Sequence, residues 1–227
     1  MGRAKRASDG GLIYHVLNRA NGRMKIFEDD ADFEAFERIV VAAAERTGTG
    51  VLAFCLMPNH WHLVLQPHKD GELSQFVGWL SLTHTQRWHA HRGSAGTEHV
   101  YQGRFKSFPV QDDEHFLTVC RYVERNALRA NLVKRAEDWR WSSLWHWSQR
   151  SKLPGTLLSP WPLRRSSGWI EHVNAVKTEA ELTALRRSVT RGNPFGDERW
   201  SEKMVHQLSL ESTIRPRGRP KTNNIGS

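Results

Sequence analysis

Two histidines separated by one residue are the first feature of the sequence that could do chemistry. His60 and His62 flank Trp61 directly after a Met-Pro-Asn segment that favours a turn. Successive side chains on a strand point to opposite faces, so the two imidazoles would share one face and Trp61 would take the other. Their Cα atoms would lie roughly 6.5–7 Å apart, close enough for both rings to converge on one cation. The same pair could also be half-buried strand residues without a ligand, and the motif alone leaves both interpretations open.

A second group of polar side chains lies on a predicted helix near residue 120. Tyr122 and Asn126 are four residues apart and therefore share a helix face, with Arg125 and Arg129 beside them. The sequence has three tyrosines, and Tyr122 is the one with several polar side chains on the same predicted helix face. A tyrosine packed at the helix edge with its hydroxyl in water explains the same residues, and composition alone favours that interpretation.

Composition limits the classes of protein to which the chain can belong. Hydrophobic residues make up 38% of the 227 residues, which suffices for a core. No apolar run reaches the ~18–20 residues of a membrane span, and no apolar segment follows the basic N-terminus, so we expect a cytoplasmic, nucleoid-associated protein without a membrane partner. Cys55 and Cys120 are the only cysteines, and they indicate neither a disulfide framework nor a cysteine zinc site. The net charge of +9 predicts a polyanionic partner, most often nucleic acid.

The elements that must position these side chains follow an ordered pattern. In sequence they are a strand over 12–18, a helix from Asp29 or Asp30, a hairpin over 51–66, a helix over 72–91 and a strand over 107–111. This is the split βαβ pattern of an α+β, ferredoxin-like domain. The antiparallel sheet of that fold has helices on one face, so we expect the histidine-bearing face to be open to a ligand.

The remainder of the chain reads as a third helix, an extension and a tail. Asp112 or Asp113 begins the helix that carries Tyr122, and a cluster of tryptophans is predicted to pack a closing helix onto the domain: Trp139, Trp141, Trp145 and Trp147. Two short helices around a Gly-Asn-Pro break could form a helix-turn-helix-like module. We therefore divide the chain into a ferredoxin-like domain over 1–150, a helical extension over 151–212 and a disordered basic tail over 213–227.

The tail contains the segment Pro-Arg-Gly-Arg-Pro, with Arg217 and Arg219 at its centre. It resembles the AT-hook core, and an extended cationic strip fits a narrow minor groove. A basic tail with only salt-dependent, non-specific affinity for nucleic acid explains it equally well.

Four motifs in this order resemble one family, the REP-associated tyrosine transposases, which are relatives of the single-tyrosine insertion-sequence transposases. The motifs are YHVLNR at 14–19, CLMPNHWH at 55–62, QGRFKS at 102–107 and RYVERN at 121–126. The resemblance covers about residues 10–148. It implies a ferredoxin-like core of the HUH nuclease type. It also suggests a monomer, whereas the insertion-sequence relatives exchange tyrosine helices in dimers. It also implies an enzyme that cuts and rejoins single-stranded DNA beside palindromic repeats that fold into hairpins.

The resemblance also assigns roles to residues. His60 and His62 would be metal ligands, Asn126 a polar third ligand and Tyr122 the nucleophile that forms a 5′-phosphotyrosine. Such a mixed nitrogen and oxygen set suits Mg²⁺ or Mn²⁺. The family often places proline after the asparagine, whereas Ala127 follows here, so the helix can run on. Candidates for contacting DNA are Arg104, Lys106, Arg125 and Arg129, with Arg217 and Arg219 in the tail.

Two other functions compete with this interpretation. One is a non-catalytic protein that binds repeat DNA through its tail and basic helices, and the presence of His60, His62 and Tyr122 argues against it. The other is a metal-dependent hydrolase of RNA or of a small phosphoester, for which a requirement for the 2′-hydroxyl would be the sign.

Overall fold

The structure, a computed structural model, describes residues 7–94, 99–149, 157–176 and 178–215. Its strands are β1 (Ile13–Arg19), β2 (Gly50–Met57), β3 (His60–Gln66) and β4 (Lys106–Val110). Its helices are α1 (Asp30–Thr47), α2 (Glu72–Arg92), α3 (Glu114–Glu124), α4 (Asn126–Arg129), α5 (Ser143–Ser148), α6 (Trp169–Asn174), α7 (Glu179–Arg191), α8 (Glu198–Gln207) and α9 (Glu211–Ile214). None of the helices in these ranges combines the length and apolar character needed to cross a membrane.

The four strands form one sheet in the order β2-β3-β1-β4, and every neighbouring pair is antiparallel. A tight turn at Pro58 and Asn59 joins β2 to β3. The strands and helices predicted up to residue 111 are confirmed to within one residue. The chain therefore has the predicted α+β, ferredoxin-like core.

Helices α1 and α2 cover one face of this sheet. α1 begins where the Asp29 side chain accepts a hydrogen bond from the Asp32 backbone N–H at 3.0 Å, and it ends at Gly48, whose φ of 72° is left-handed. The buried side chains of α1 include the apolar positions that its periodicity predicted: Phe33, Phe36, Ile39, Val40 and Ala43. They pack in one cluster with Trp61 from β3.

The other face of the sheet is covered as well, which differs from the expected open face. α3 packs there through Phe116, Val119 and other apolar side chains, and Trp169 of α6 belongs to the same buried cluster. The physical reason is that the central strands are apolar on both faces. Ile13 and Val64 belong to this second cluster, so they require a third layer to exclude water.

Helices α7 and α8 confirm the two short helices predicted near the C-terminus. The segment between them also forms backbone hydrogen bonds with the end of β4. The backbone N–H of Phe195 donates to the carbonyl of Pro109 at 2.9 Å, and the N–H of Gln111 donates to the carbonyl of Phe195 at 3.0 Å. This segment therefore protects the outer edge of β4. The predicted boundaries at 150 and 212 stay predictions, because the structure does not describe residues 150–156 or 216–227.

Candidate functional site

His60 and His62 lie on the sheet face that α3 covers, at the end of β3 nearest the hairpin turn. Their ring centres are 5.1 Å apart, and both side chains are buried. On the neighbouring strand β1, Leu17 is the cross-strand partner of His62 and Arg19 is the partner of His60. The predicted placement of both imidazoles on one face is therefore observed, although the face is covered.

A hydrogen bond to Asn59 sets the tautomer of His60. His60 Nδ1 lies 2.6 Å from Asn59 Oδ1, and the amide nitrogen of Asn59 donates to the backbone carbonyl of Arg23 at 3.3 Å. That second bond fixes which end of the amide faces the imidazole, and an amide oxygen can only accept. The hydrogen of His60 therefore lies on Nδ1, and Nε2 keeps a lone pair that can bind a cation.

His15 on β1 plays the corresponding part for His62. His62 Nδ1 lies 2.8 Å from His15 Nε2 inside the protein. Burial lowers the pKa of His15 to about 3, so at neutral pH its ring is uncharged and one nitrogen can accept a hydrogen. When His62 donates to His15, Nε2 of His62 has no hydrogen, which is the same pattern that Asn59 imposes on His60.

Both candidate ligands are uncharged at neutral pH. Burial, followed by the nearby charges of Arg19 and Arg129, lowers the pKa of His60 to about 4. Burial and the neighbouring histidines hold the pKa of His62 well below its usual range. A metal ion binds imidazole only in this neutral form.

Tyr122 extends from α3 toward the rings of His62 and His15. Its ring centre is 5.8 Å from that of His62 and 6.3 Å from that of His15, edge-on in both cases. The side chain is 6% exposed. The structure thus brings together the phenol and the imidazoles, which are about 60 residues apart in the sequence.

Asn126 and Arg129 complete the group from α4. α3 ends at Glu124 and α4 begins at Asn126, so the helix does continue past Ala127 after a break of one residue. Asn126 is buried, and its Oδ1 accepts a hydrogen bond from Arg129 at 2.9 Å. The guanidinium carbon of Arg129 lies 4.7 Å from the centre of the Tyr122 ring. Asn126 Nδ2 has no hydrogen-bond partner within the part of the chain that the structure describes.

A buried carboxylate two residues after Tyr122 anchors the tyrosine helix. Glu124 accepts hydrogen bonds from Trp169 Nε1 and from the Ser143 hydroxyl, both at 2.7 Å, and Arg165 lies 3.5 Å from it. Burial raises the pKa of Glu124, against the opposing effect of the Arg165 charge and the two hydrogen bonds. α3 is therefore tied to α5 and α6 beside the residue that carries the phenol.

Of the predicted DNA contacts, Lys106 and Arg104 lie on the surface at the start of β4. Lys106 is the cross-strand partner of Leu17, which is itself the partner of His62, so Lys106 shares the sheet face of the histidines. Arg125 is directed elsewhere: its guanidinium donates to the carbonyl of Val173 at 2.8 Å, at the end of α6. Arg217 and Arg219 lie outside the described residues.

Three residues of the site were not predicted from the sequence. His15 and Asn59 orient the candidate ligands, and Arg19 is an exposed cation beside His60. Strand alternation alone separates His15 from Tyr14 and could have placed it on the histidine face. Its pairing with His62 depends on the register of β1 against β3, which no local pattern reveals.

The histidine pair is not part of a larger cluster of charged ligands. Among the residues with described positions, no group of three or more His, Cys, Asp and Glu side chains could hold a metal ion. Asn126 on α4 is the candidate for a third ligand of another residue type.

Comparison with known proteins gives the family. The sequence profile of the family described as "Transposase IS200 like" matches residues 9–126, just over half of the chain, and this range ends at Asn126. A Haemophilus influenzae protein named as a candidate REP-associated tyrosine transposase is 24% identical over 100 residues, which are 40% of this chain and 57% of that protein. The chain thus matches little more than half the length of this relative.

A solved structure supports the fold. It is the structure of a REP-associated tyrosine transposase bound to a REP hairpin, and it superposes with a TM-score of 0.55 at 16% identity. The superposition covers 68% of this chain and 89% of the other. With half of its residues in the matched profile, the chain belongs to the IS200-like transposase family.

Proposed function

We propose that this protein is a metal-dependent single-stranded DNA endonuclease and strand transferase that cuts and rejoins DNA at REP hairpins through a 5′-phosphotyrosine. The observation that carries the proposal is the approach of the Tyr122 ring to within 5.8 Å of the His62 ring. Both belong to the same chain, so a monomer can assemble the whole site. A related fold solved with a REP hairpin supports the choice of substrate.

His60, His62 and Asn126 would hold the metal ion. Two observations support the fit. The hydrogen bonds of the two histidines are compatible with a lone pair on each Nε2, and the buried Asn126 places its amide oxygen against the same guanidinium that covers the Tyr122 ring. Two imidazole nitrogens and an amide oxygen suit Mn²⁺ or Mg²⁺. When bound, the ion would reduce the negative charge on the phosphodiester and make its phosphorus easier to attack.

Tyr122 supplies the nucleophile. Its phenol oxygen forms a bond to phosphorus while the bond to the 3′ oxygen breaks, and the phenol proton ends on the departing 3′-hydroxyl. The protein is left with the 5′-phosphate on Tyr122. A second 3′-hydroxyl can attack the same phosphorus and release the tyrosine, which joins two strands without an external energy source.

The DNA would approach along the open end of the histidine face. Arg19, Lys106 and Arg104 are exposed cations along this edge, on β1, on β4 and just before β4. They would hold phosphates without reading bases, since a lysine or arginine contact to phosphate fixes position and carries no sequence information. We propose these side chains rather than Arg125, whose guanidinium is bonded to the end of α6.

The direct test is a search for the covalent product. The protein is incubated with a single-stranded REP hairpin and Mn²⁺, digested, and mapped by mass spectrometry for a tyrosine-linked nucleotide. We expect the adduct on Tyr122, and we expect Tyr122→Phe to form none while binding the hairpin with affinity unchanged to within about threefold. Tyr14→Phe is the matched control, because Tyr14 belongs to the opposite face and its hydroxyl bonds to the nearby backbone of Asp9.

The competing functions give different results in the same assay. Cleavage by Tyr122→Phe would show that another nucleophile, such as water, performs the reaction. Binding of the hairpin without any cleavage by the wild-type protein would favour a non-catalytic DNA-binding protein. A panel of single-stranded DNA, duplex DNA and RNA separates the hydrolase alternative, because only an RNA enzyme depends on the 2′-hydroxyl.

A further inference from the structure

Arg129 is hydrogen-bonded to Asn126 Oδ1, the oxygen atom that would bind the proposed metal ion. Its guanidinium donates to Asn126 Oδ1 at 2.9 Å and lies 4.7 Å from the centre of the Tyr122 ring. Both contacts are favourable for a cation: one goes to the negative end of an amide dipole and the other to the face of an aromatic ring. A positive charge therefore already stands between the nucleophile and the candidate third ligand.

The two side chains in this contact differ in their freedom to move. Asn126 is 2% exposed and is fixed in the protein, whereas Arg129, the last residue of α4, is exposed to solvent. The guanidinium can swing into water without opening the core. Asn126 cannot follow it, so the amide oxygen would stay in place when Arg129 leaves.

Two cations would compete at this position. A divalent ion held by the imidazoles and the amide would stand close to the guanidinium, and like charges at such distances repel strongly where water is excluded. An incoming phosphate has the opposite effect, because it attracts a guanidinium by paired, charge-assisted hydrogen bonds. The arrival of DNA is thus the event that would draw Arg129 away from Asn126.

We infer that Arg129 occupies the metal position of the free protein and leaves it when a DNA phosphate arrives, so that the metal ion is bound firmly only together with substrate. This inference rests on the proposed function and deepens it. Arg129 acts here through Asn126 as a positioning residue. The contact between Arg129 and Asn126 would keep a DNA-cutting site from assembling in the absence of the DNA hairpin.

The test is Mn²⁺ binding by the free protein, measured by electron paramagnetic resonance of unbound Mn²⁺. We expect Arg129→Gln to bind Mn²⁺ roughly tenfold more tightly than wild type, within the 5–150-fold range of typical site-to-site coupling. Arg129→Lys keeps the charge without the planar fork and should lie between them. Arg38→Gln, an exposed change on α1 across the sheet, removes the same charge and should leave the affinity unchanged.

A second arm adds the hairpin in a Tyr122→Phe background, which prevents cleavage while keeping an aromatic ring under Arg129. With DNA present, the Mn²⁺ affinity of Arg129→Gln should exceed that of the protein with Arg129 by about twofold or less. The DNA phosphate has then already drawn the guanidinium away from Asn126. If Arg129 only supported the structure of the site, its replacement would weaken Mn²⁺ binding instead of strengthening it. Thermal unfolding of each variant confirms that the compared proteins are folded.

The outcomes separate this inference from the proposed function. Equal or weaker Mn²⁺ binding by Arg129→Gln, with wild-type binding intact, overturns the role of Arg129 and leaves the metal site standing. Absence of Mn²⁺ binding by every variant, with and without DNA, overturns the metal site and this inference together.

Discussion

The two faces of strand β3 surround their buried histidines with different neighbours. On the α1 and α2 face, Trp61 Nε1 donates to the Tyr101 hydroxyl at 3.0 Å, and that hydroxyl lies 2.7 Å from His84 Nδ1. A hydroxyl that accepts from an indole can donate to an imidazole, so Tyr101 provides a hydrogen-bond partner for both neighbours. The ring of His84 also packs edge-on against Phe36, with ring centres 4.9 Å apart.

On the α3 face, the histidines His60 and His62 each have one ring nitrogen that can bind a ligand. Hydrogen bonds to Asn59 and His15 involve the Nδ1 atoms of the two candidate ligands, and the donor end of the Asn126 amide, Nδ2, is unpaired among the described residues. Burying such a group without a partner costs about 1–3 kcal/mol. The comparison teaches that a buried histidine indicates a ligand site when a second imidazole shares its surroundings. The ring of His60 lies 5.1 Å from that of His62, whereas the ring of His84 packs against Phe36.

The comparison predicts that alanine substitutions on the two faces have opposite consequences. His60→Ala should reduce single-turnover cleavage by about 100-fold or more, because metal assistance is worth several kcal/mol of transition-state stabilisation. His84→Ala should leave the rate of the folded protein within about twofold but lower the free energy of unfolding by about 2–3 kcal/mol, since it creates a cavity and removes the acceptor of Tyr101.

Urea unfolding and single-turnover kinetics at saturating Mn²⁺ provide both readouts for this pair of variants. The rates are compared at matched concentrations of folded protein, so that instability is not mistaken for lost chemistry. Loss of cleavage in folded His84→Ala, or retention of full cleavage in His60→Ala, would remove the distinction between the faces.

A smaller effect is expected from the residue that orients His62. His15→Leu removes the acceptor for His62 Nδ1 and should weaken Mn²⁺ binding by roughly 10–100-fold, the usual cost of losing a hydrogen bond to a metal-bound histidine. His15→Gln offers an amide oxygen to the same nitrogen and should recover most of the affinity. Calorimetric titration with Mn²⁺ above pH 7 measures both variants in their neutral form. Equal losses in the two variants would mean that His15 fills space and does not orient its neighbour.

Much of this fold follows from local sequence patterns. The helical period of the apolar residues in α1 predicts which of its faces is buried. The alternation along β3 predicts that His60 and His62 share one face and that Trp61 lies on the other. The order of strands and helices was sufficient to identify the ferredoxin-like core, because few topologies accommodate it.

The residues that differ from expectation depend on long-range packing. Arg125 shares the polar side of its helix with Tyr122 by spacing, yet its guanidinium bonds to Val173, nearly 50 residues later. The burial of the histidine face by Trp169 likewise requires a segment beyond the tryptophan-rich stretch. Periodicity reports which face of an element is apolar, but not which distant element covers it.

The smallest predicted effect tests whether the α1 and α2 face serves stability alone. Arg92 near the end of α2 donates to both carboxylate oxygens of Asp32 in the first turn of α1, with the shorter bond at 2.7 Å. Burial by itself would raise the pKa of Asp32, but the bonds with Arg92 and with the Glu28 backbone N–H outweigh it, and the pKa is lowered. The stabilisation is therefore present above the ordinary pKa range of an aspartate and is lost as pH falls through the lowered value.

Asp32→Asn should accordingly lower the free energy of unfolding by about 0.5–1 kcal/mol at pH 7, as for a partly exposed ion pair, with no change in cleavage rate. Asp30→Asn is the matched control, because it removes the same charge from the same helix turn at an exposed position and so corrects for the helix dipole. Urea unfolding of both variants from pH 7 down to pH 3 measures the difference between them. That difference should shrink as the medium becomes acidic, because protonation of Asp32 removes the ion pair from the wild-type protein too. A difference that stays constant to pH 3 would mean that the Asp32 side chain stabilises α1 through its shape and neutral hydrogen bonds, not through its charge.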